Sequence, residues 1–333
     1  MNLRKRTTFA AIGIATVLLA GCASTPSAGG DGDAETVTIR VATVNPEGGV
    51  EVETLKSVAE AIEEKSDGTL KLEVYASGQL GSTSDVAEQA ASGENIIGMI
   101  DAGTLAGLGN EDLSILGGPF LFENADQAAK FAKSDVMQEM ADALAADGGV
   151  RILALNWLDG PRHLFGQEAY PEPEDLEGVK LRTPPIETWD RTFKPLGAVT
   201  TTVDSTEVYS ALEQGVVEAA EGPINGTADQ KWQEVAPVVT LTQHFRTFIG
   251  YAMGEGTFQN LSTEHQELLI EEFTAGGDRA MAGWEDAADV NLGLFEEQGV
   301  EVHDANIPAY QKATEGFYES YGDLLQRVRD AGK

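Results

Sequence analysis

The sequence predicts an α/β fold of two lobes, each a mixed, mostly parallel sheet flanked by helices, with a long C-terminal helical segment. Three observations carry this. Strand and helix periodicities alternate between Val37 and Ile100, a stretch beginning near Val150 repeats the same plan, and apolar positions after Thr263 keep helical spacing.

The first strand is read from Val37, Ile39 and Val41, which alternate with Thr38 and Arg40 and so leave one face to bury. Val52, Leu55, Val58, Ala59 and Ile62 follow helical spacing, and Ser66-Asp67-Gly68 stops them. Leu70, Leu72 and Val74 alternate again. A helix through Val86 to Ala91 ends at Gly93, and Ile96, Ile97, Met99 and Ile100 form a continuous apolar run, the pattern of a strand buried on both faces. This succession implies a parallel-rich sheet with right-handed crossovers.

Helices near Ala125 to Phe131 and Val136 to Leu144 lead to a strand at Val150 to Leu155. The second unit then has strands at Val179 to Leu181 and Val216 to Ala219, and helices at Trp189 to Leu196 and Val208 to Glu213. From Thr263 onward Leu268, Leu269, Phe273, Met281, Leu292, Leu294 and Phe295 lie on apolar helix faces and read as core residues.

The N-terminus has the form of an export signal. Arg4, Lys5 and Arg6 make a positive region before an apolar run, Phe9 to Ala20, that is short for a bilayer span. Leu19-Ala20-Gly21-Cys22 resembles the bacterial lipobox, which makes Cys22 the expected site of lipidation and the expected mature N-terminus. Ser24 to Glu35 is Ser, Gly, Pro and Asp with almost nothing apolar, a tether that cannot offset its ordering entropy. Cys22 is the only cysteine, which excludes disulfides and thiolate metal sites within the chain.

The chain carries 22 basic and 55 acidic residues, a net charge of −33. Loss of Arg4, Lys5 and Arg6 with a cleaved signal takes this to −36. Such a charge argues against nucleic acid or an anionic membrane surface as partner, and suits salty surroundings or general solubility equally.

In open α/β sheets small ligands sit outside the carboxyl ends of the strands. Trp157 and the expected turn Asp159-Gly160-Pro161-Arg162 follow one strand, Arg182 closes another, and Glu221-Gly222 follows a third. Two guanidiniums and a carboxylate therefore converge on one expected cleft. An arginine reads a carboxylate through a planar fork of two charge-assisted hydrogen bonds, although an arginine at a strand end is more often a solvated surface residue.

Several runs in order resemble the solute-binding subunit of tripartite ATP-independent periplasmic (TRAP) transporters, of the dicarboxylate-binding type, over nearly the whole mature length. They are Gly78-Gln79-Leu80-Gly81, Gly118-Pro119-Phe120-Leu121-Phe122, Gly160-Pro161-Arg162, Asp175-Leu176-Glu177-Gly178-Val179-Lys180-Leu181-Arg182, Leu196-Gly197-Ala198, and the segment from Glu207 to Glu218. The resemblance implies a periplasmic-binding-protein-like clamp that closes on its ligand. It implies that Arg182 pairs with a ligand carboxylate and that Arg162 supplies a second contact. Glu221-Gly222-Pro223 departs from the family's Glu-Asn-Pro, which removes an amide that commonly meets ligand. Ser205 stands where many members have an aromatic residue, which implies a different and roomier wall.

Trp157 and Trp189 are candidates to stack on a ligand, with core packing as the alternative. Asp101 is a candidate acceptor for a ligand hydroxyl or ammonium, with helix capping as the alternative. The candidate ligand-binding residues are thus Arg182, Arg162, Glu221, Gly222, Ser205, Trp157 and Asp101. No catalytic residue, metal site or cofactor is expected, because the four histidines lack metal-ligand spacing and no phosphate-loop or nucleophile-elbow motif occurs.

The expected organisation is a signal peptide over 1–21 and a tether over 22–36. Lobe I spans 37–159, with about 248–287 returning to it, and lobe II spans 160–247, with about 288–333 returning. The expected role is that of an extracytoplasmic monomer, lipid-anchored in the periplasm or at the cell surface. It captures a small carboxylate and passes it to TRAP-type membrane subunits. An ABC-type binding lipoprotein and an exported hydrolase are the alternatives.

Overall fold

A computed structural model describes residues 36–333, so the expected signal, lipobox cysteine Cys22 and nearly all of the tether lie outside the described residues. The chain runs β1 (Val37–Ala42), α1 (Val50–Lys65), β2 (Leu70–Tyr75), α2 (Thr83–Ala91), β3 (Ile96–Asp101), α3 (Ala102–Ala106), α4 (Ala125–Ala132), α5 (Asp135–Ala143) and β4 (Val150–Gly166). The second half holds β5 (Lys180–Thr183), α6 (Glu187–Phe193), β6 (Val199–Thr202), α7 (Val208–Glu213), β7 (Ala219–Pro223), α8 (Ile224–Asp229), β8 (Val238–Leu241) and β9 (Arg246–Gly254). It ends in α9 (Glu255–Gln259), α10 (Thr263–Glu297), β10 (Glu301–Asp304), α11 (Ile307–Thr314) and α12 (Asp323–Ala331).

The strands form one path, β2-β1-β3-β9-β4-β7-β5-β6, with β8 joining β4 and β10 joining β8. Parallel ladders link β1 with β2 and β3 in the first lobe, and β5 with β6 and β7 in the second. Antiparallel ladders β3–β9, β4–β9, β4–β7 and β4–β8 bind these two parallel units through the middle, so the sheet is mixed. The apolar run at β3 is buried on both faces, between a cluster built on Leu55, Val58, Ile62, Leu269 and Phe273 and another built on Leu113, Phe131, Leu144 and Phe248. The second lobe has its own two clusters, one around Phe165, Trp232 and Phe295 and one around Leu181, Trp189, Phe193 and Phe245.

Three expectations need correction. The segment Asp159 to Arg162 is no turn between lobes. It lies inside β4, a 17-residue strand that pairs with β9 through residues 150–161 and with β7 and β8 from Arg162 on. Register shifts along β4 and the positive φ of Gly160 (+78°) absorb the change of direction without ending the strand. The strand expected over Val216–Ala219 begins instead at Ala219, because Gly215 (φ +67°) ends α7 and Val216 and Val217 donate their N–H groups back to the Ala211 carbonyl. Glu221 and Gly222 therefore sit within a strand. Finally, the C-terminal return divides. Phe295, β10 and Tyr310 join the second lobe, whereas Phe317, Tyr318 and Val328 enter the first-lobe core, where α12 packs on α4 and α5.

Candidate functional site

A cavity of about 140 Å³ lies where the two lobes face each other, at the ends of β3, β5 and β7 and along the central part of β4. Asp101 and Asn45 line it from the first lobe, Asp159, Arg162 and Thr247 from the central strands, and Arg182, Trp189, Ser205, Gln230 and Trp232 from the second lobe.

Arg182 is the third residue of β5 and is 3% exposed. Its Nε donates to the Val203 carbonyl at 2.8 Å, which fixes the guanidinium by one edge. Among the described residues its two terminal nitrogens make no hydrogen bond, and the nearest carboxylate oxygen, Glu221 Oε1, is 3.9 Å from Nη1. Burial drives its pKa down to about 10, with Glu221 opposing and Arg162 adding to the shift. The group stays charged at neutral pH, and its two terminal nitrogens face the cavity with no acceptor among the described residues.

Arg162, by contrast, is well supplied with partners. Its Nε and Nη2 clasp the Glu221 carboxylate at 2.6 and 2.9 Å, and Nη1 donates to Asp159 Oδ2 at 3.0 Å. Its guanidinium carbon stands 5.7 Å from the centre of the Trp189 ring, within cation–π range. Burial pulls the Arg162 pKa down, but the Glu221 and Asp159 carboxylates outweigh it and hold the group more firmly charged than usual.

Glu221 is fully buried on β7. Burial favours its neutral form, yet the Arg162 charge and hydrogen bonds outweigh that and hold it well below the usual carboxylate range. His244 lies 3.4 Å from Glu221 Oε2 and 2.6 Å from the Thr242 hydroxyl. Burial lowers the His244 pKa, so a neutral ring fits best, with Nε2–H donating to Glu221 and Nδ1 accepting from Thr242.

Asp101 both caps and lines. Its Oδ1 accepts from Thr104 N at 2.8 Å and its Oδ2 from the Thr104 hydroxyl at 2.7 Å, and burial raises its pKa. Asp159, buried at 6% exposure, has its pKa pushed up to about 6 by burial. Its Oδ1 has no partner among the described residues. The Thr247 hydroxyl and the Trp189 indole N–H are likewise buried without partners. A buried acceptor, a hydroxyl and a donor thus stand unsatisfied around an unsatisfied guanidinium.

Three sequence candidates fall outside the cavity: Glu221 is fully buried behind it, where it holds Arg162, and Trp157 and Gly222 serve the packing. Trp157 is core: it is 3% exposed, its Nε1 donates to the Phe273 carbonyl at 2.9 Å, and its ring meets Tyr251 with centroids 4.8 Å apart. Helix α10 covers it at Gly276, where an added Cβ would come 2.7 Å from the indole. Gly222 pairs with His163 across β4 and β7 and does not line the cavity. The space beside it is filled, since an added Cβ would stand 2.8 Å from Thr227 Cγ2 and 3.0 Å from Trp232 Cζ3. The wall near Ser205 is also not simply roomier, because Gln230 donates to the Ser205 hydroxyl at 3.2 Å and lines the cavity with it. Sequence reading named Asp159 only as a turn residue and passed over Thr247, Gln230 and Trp232. The one available signal was that Asp159 shares a short run with Arg162.

The family model for bacterial extracellular solute-binding proteins, family 7, matches residues 41–324. The chain is 25% identical over 274 residues to the sialic acid-binding periplasmic protein SiaP of Vibrio cholerae, covering 82% of this chain and 85% of that protein. Its fold superposes with a TM-score of 0.85 on a TRAP periplasmic solute-binding protein from Ochrobacterium anthropi with bound L-fuconate, at 28% identity, covering 90% of this chain and 100% of that one. A TRAP periplasmic solute-binding protein from Actinobacillus succinogenes with bound L-galactonate also superposes at 0.85, with 26% identity and coverage of 89% and 99%.

Proposed function

Because the chain belongs to family 7 of the bacterial extracellular solute-binding proteins, we propose that it captures a small hydroxylated carboxylate on Arg182 and delivers it to a TRAP-type secondary transporter. The observation that carries this is the Arg182 guanidinium, buried, held by one edge on the Val203 carbonyl, and open at both terminal nitrogens toward the cavity. That is the geometry for two parallel hydrogen bonds to a carboxylate. Relatives of this fold with bound L-fuconate and L-galactonate support the ligand class.

Asp159 Oδ1 and the Thr247 hydroxyl offer an acceptor and a donor–acceptor for ligand hydroxyls. Arg162 is engaged by Asp159 and by both the carboxylate and the backbone carbonyl of Glu221, and its role is to hold those carboxylates in place with at most one remaining N–H for the ligand. Ligand bridging the two lobes makes contacts that the open form lacks, so binding shifts the population toward closure. The chain acts at the outer face of the membrane, tethered there through lipid on Cys22.

The test is a thermal-shift and calorimetric titration with L-fuconate and L-galactonate. Stoichiometric, saturable stabilisation is expected, about 2.7 kcal/mol at a hundred times the dissociation constant. Arg182→Lys loses about 10- to 100-fold in affinity, because a point charge cannot reproduce the fork. Unchanged binding by Arg182→Lys and Arg182→Ala removes Arg182 from the site. Membrane fractionation of the full chain and of Cys22→Ser checks the anchor, and a membrane-bound Cys22→Ser refutes it.

A further inference from the structure

Ser205, Gly222 and Gln230 form a single device. Gln230 follows α8, and Lys231, at φ +60°, turns the chain back so that the next residue, Trp232, comes to lie beside Gln230. The indole Nε1 of Trp232 donates to Gln230 Oε1 at 3.2 Å. An indole N–H can only donate, so this bond fixes which end of the Gln230 amide is oxygen. The Nε2 end therefore faces Ser205, donating to its hydroxyl oxygen at 3.2 Å. One N–H of Gln230 and the hydroxyl hydrogen of Ser205 are left uncommitted, and both residues line the cavity.

Trp232 is itself rigidly seated. It is 3% exposed and meets Phe165 edge to face, with ring centroids 6.2 Å apart. One of its neighbours is the backbone of Gly222, where even a methyl group would come 3.0 Å from the ring and 2.8 Å from Thr227. A side chain at 222 overlaps Thr227 and presses on the edge of the indole by a few tenths of an ångström, which shifts the ring whose N–H orients Gln230. Ser205 is also tied to the anchor of the site, since Val203, whose carbonyl holds Arg182, lies two residues before it and so within about 7 Å along the chain.

We propose that Gln230 and Ser205 are the specificity-determining pair of this site. They read an oxygen, hydroxyl or keto, on the carbon next to the ligand carboxylate, and Gly222 is small so that Trp232 can hold Gln230 in that pose. The pair offers two donors, one N–H of Gln230 and the hydroxyl of Ser205, so 2-hydroxy and 2-oxo acids are accepted over 2-deoxy acids. This rests on the reading of Arg182 as the carboxylate anchor.

The experiment is calorimetric titration of the full mature chain with L-galactonate, a 2-hydroxy acid, and with its 2-deoxy analogue. The proteins are wild type, Gln230→Leu, Gly222→Ala, Ser205→Ala and Arg182→Ala. Gln230→Leu and Gly222→Ala are expected to weaken L-galactonate about tenfold while changing the 2-deoxy acid less than about twofold, the effect of one lost hydrogen bond. Ser205→Ala removes one hydroxyl from a half-buried residue and carries the same comparison if either of the others fails to fold. Equal weakening of both acids, or none, overturns the proposal while leaving the anchor intact, provided Arg182→Ala has lost both. Wild type that binds neither acid, or Arg182→Ala that binds like wild type, overturns the anchor and this proposal together.

Discussion

Replacing Glu221 by glutamine tests whether the buried charges of the cleft are balanced for an incoming anion. The carboxylate takes two hydrogen bonds from Arg162 at 2.6 and 2.9 Å, contacts His244 at 3.4 Å and stands 3.9 Å from Arg182. Glutamine keeps the shape but removes the negative charge, leaving two buried guanidiniums. Removing one partner from a buried ion pair costs about 3–5 kcal/mol, and the surviving Asp159–Arg162 pair places the expected loss near the lower end, about 3 kcal/mol. That corresponds to a fall of roughly 5 °C in Tm for a chain of this size. The sign for binding is opposite. A carboxylate on Arg182 restores the missing charge, so Glu221→Gln binds L-galactonate more tightly than wild type does. Urea unfolding of the free proteins and calorimetric titration measure the two effects. A stability loss under about 1 kcal/mol, or weaker binding by the variant, refutes the charge-balance reasoning.

Two further outcomes are expected. Glu51, bonded by Tyr251, Asn45 and Thr43 beneath the first-lobe wall, is raised by burial from the usual 4.5 to about 7. The folded state therefore holds this proton more tightly than the unfolded chain, so its stabilising effect is complete below pH 4.5 and is lost as pH rises to 7. The change amounts to about 3 kcal/mol relative to Glu51→Gln, and stability-against-pH curves that run parallel for the two proteins would refute it. A net charge of −33 slows the approach of an anion at low salt, so stopped-flow association with L-galactonate accelerates as the screening length falls from about 30 Å to about 8 Å. A rate that falls with salt removes the long-range field from the account.

The parallel units were legible in the sequence because each strand and helix carries its own period, as in Val37 to Val41 and Val52 to Ile62. The antiparallel centre was not. Strand β9 reads Arg-Thr-Phe-Ile-Gly-Tyr-Ala-Met-Gly, with no alternation, because both of its faces are covered. Gly250 interrupts the run at the place where a Cβ would overlap the Ala154 carbonyl of β4, a packing demand that only the partner strand explains. In the site, Arg182 was found through its position at a strand end within a characteristic run. Gln230 was invisible for the opposite reason: it sits among Asp229 and Lys231 in a polar stretch, and only the backbone reversal at Lys231 brings Trp232 back to orient its amide. Trp157 and Trp189 could not be told apart by type, since what separates them is that α10 covers the first and leaves the second facing Arg162.

Helix α10 runs for 35 residues, about 52 Å at 1.5 Å per residue, from the first-lobe core at Leu269 and Phe273 to the second-lobe core at Phe295. Trp284 sits between these ends. Its indole belongs to the first-lobe cluster and lines the cavity, while its carbonyl accepts a hydrogen bond of 2.8 Å from Asn225 of α8. The residue that faces the cavity is therefore also the one at which a single helix is joined to both lobes, by its side chain to the first and by its carbonyl to the second.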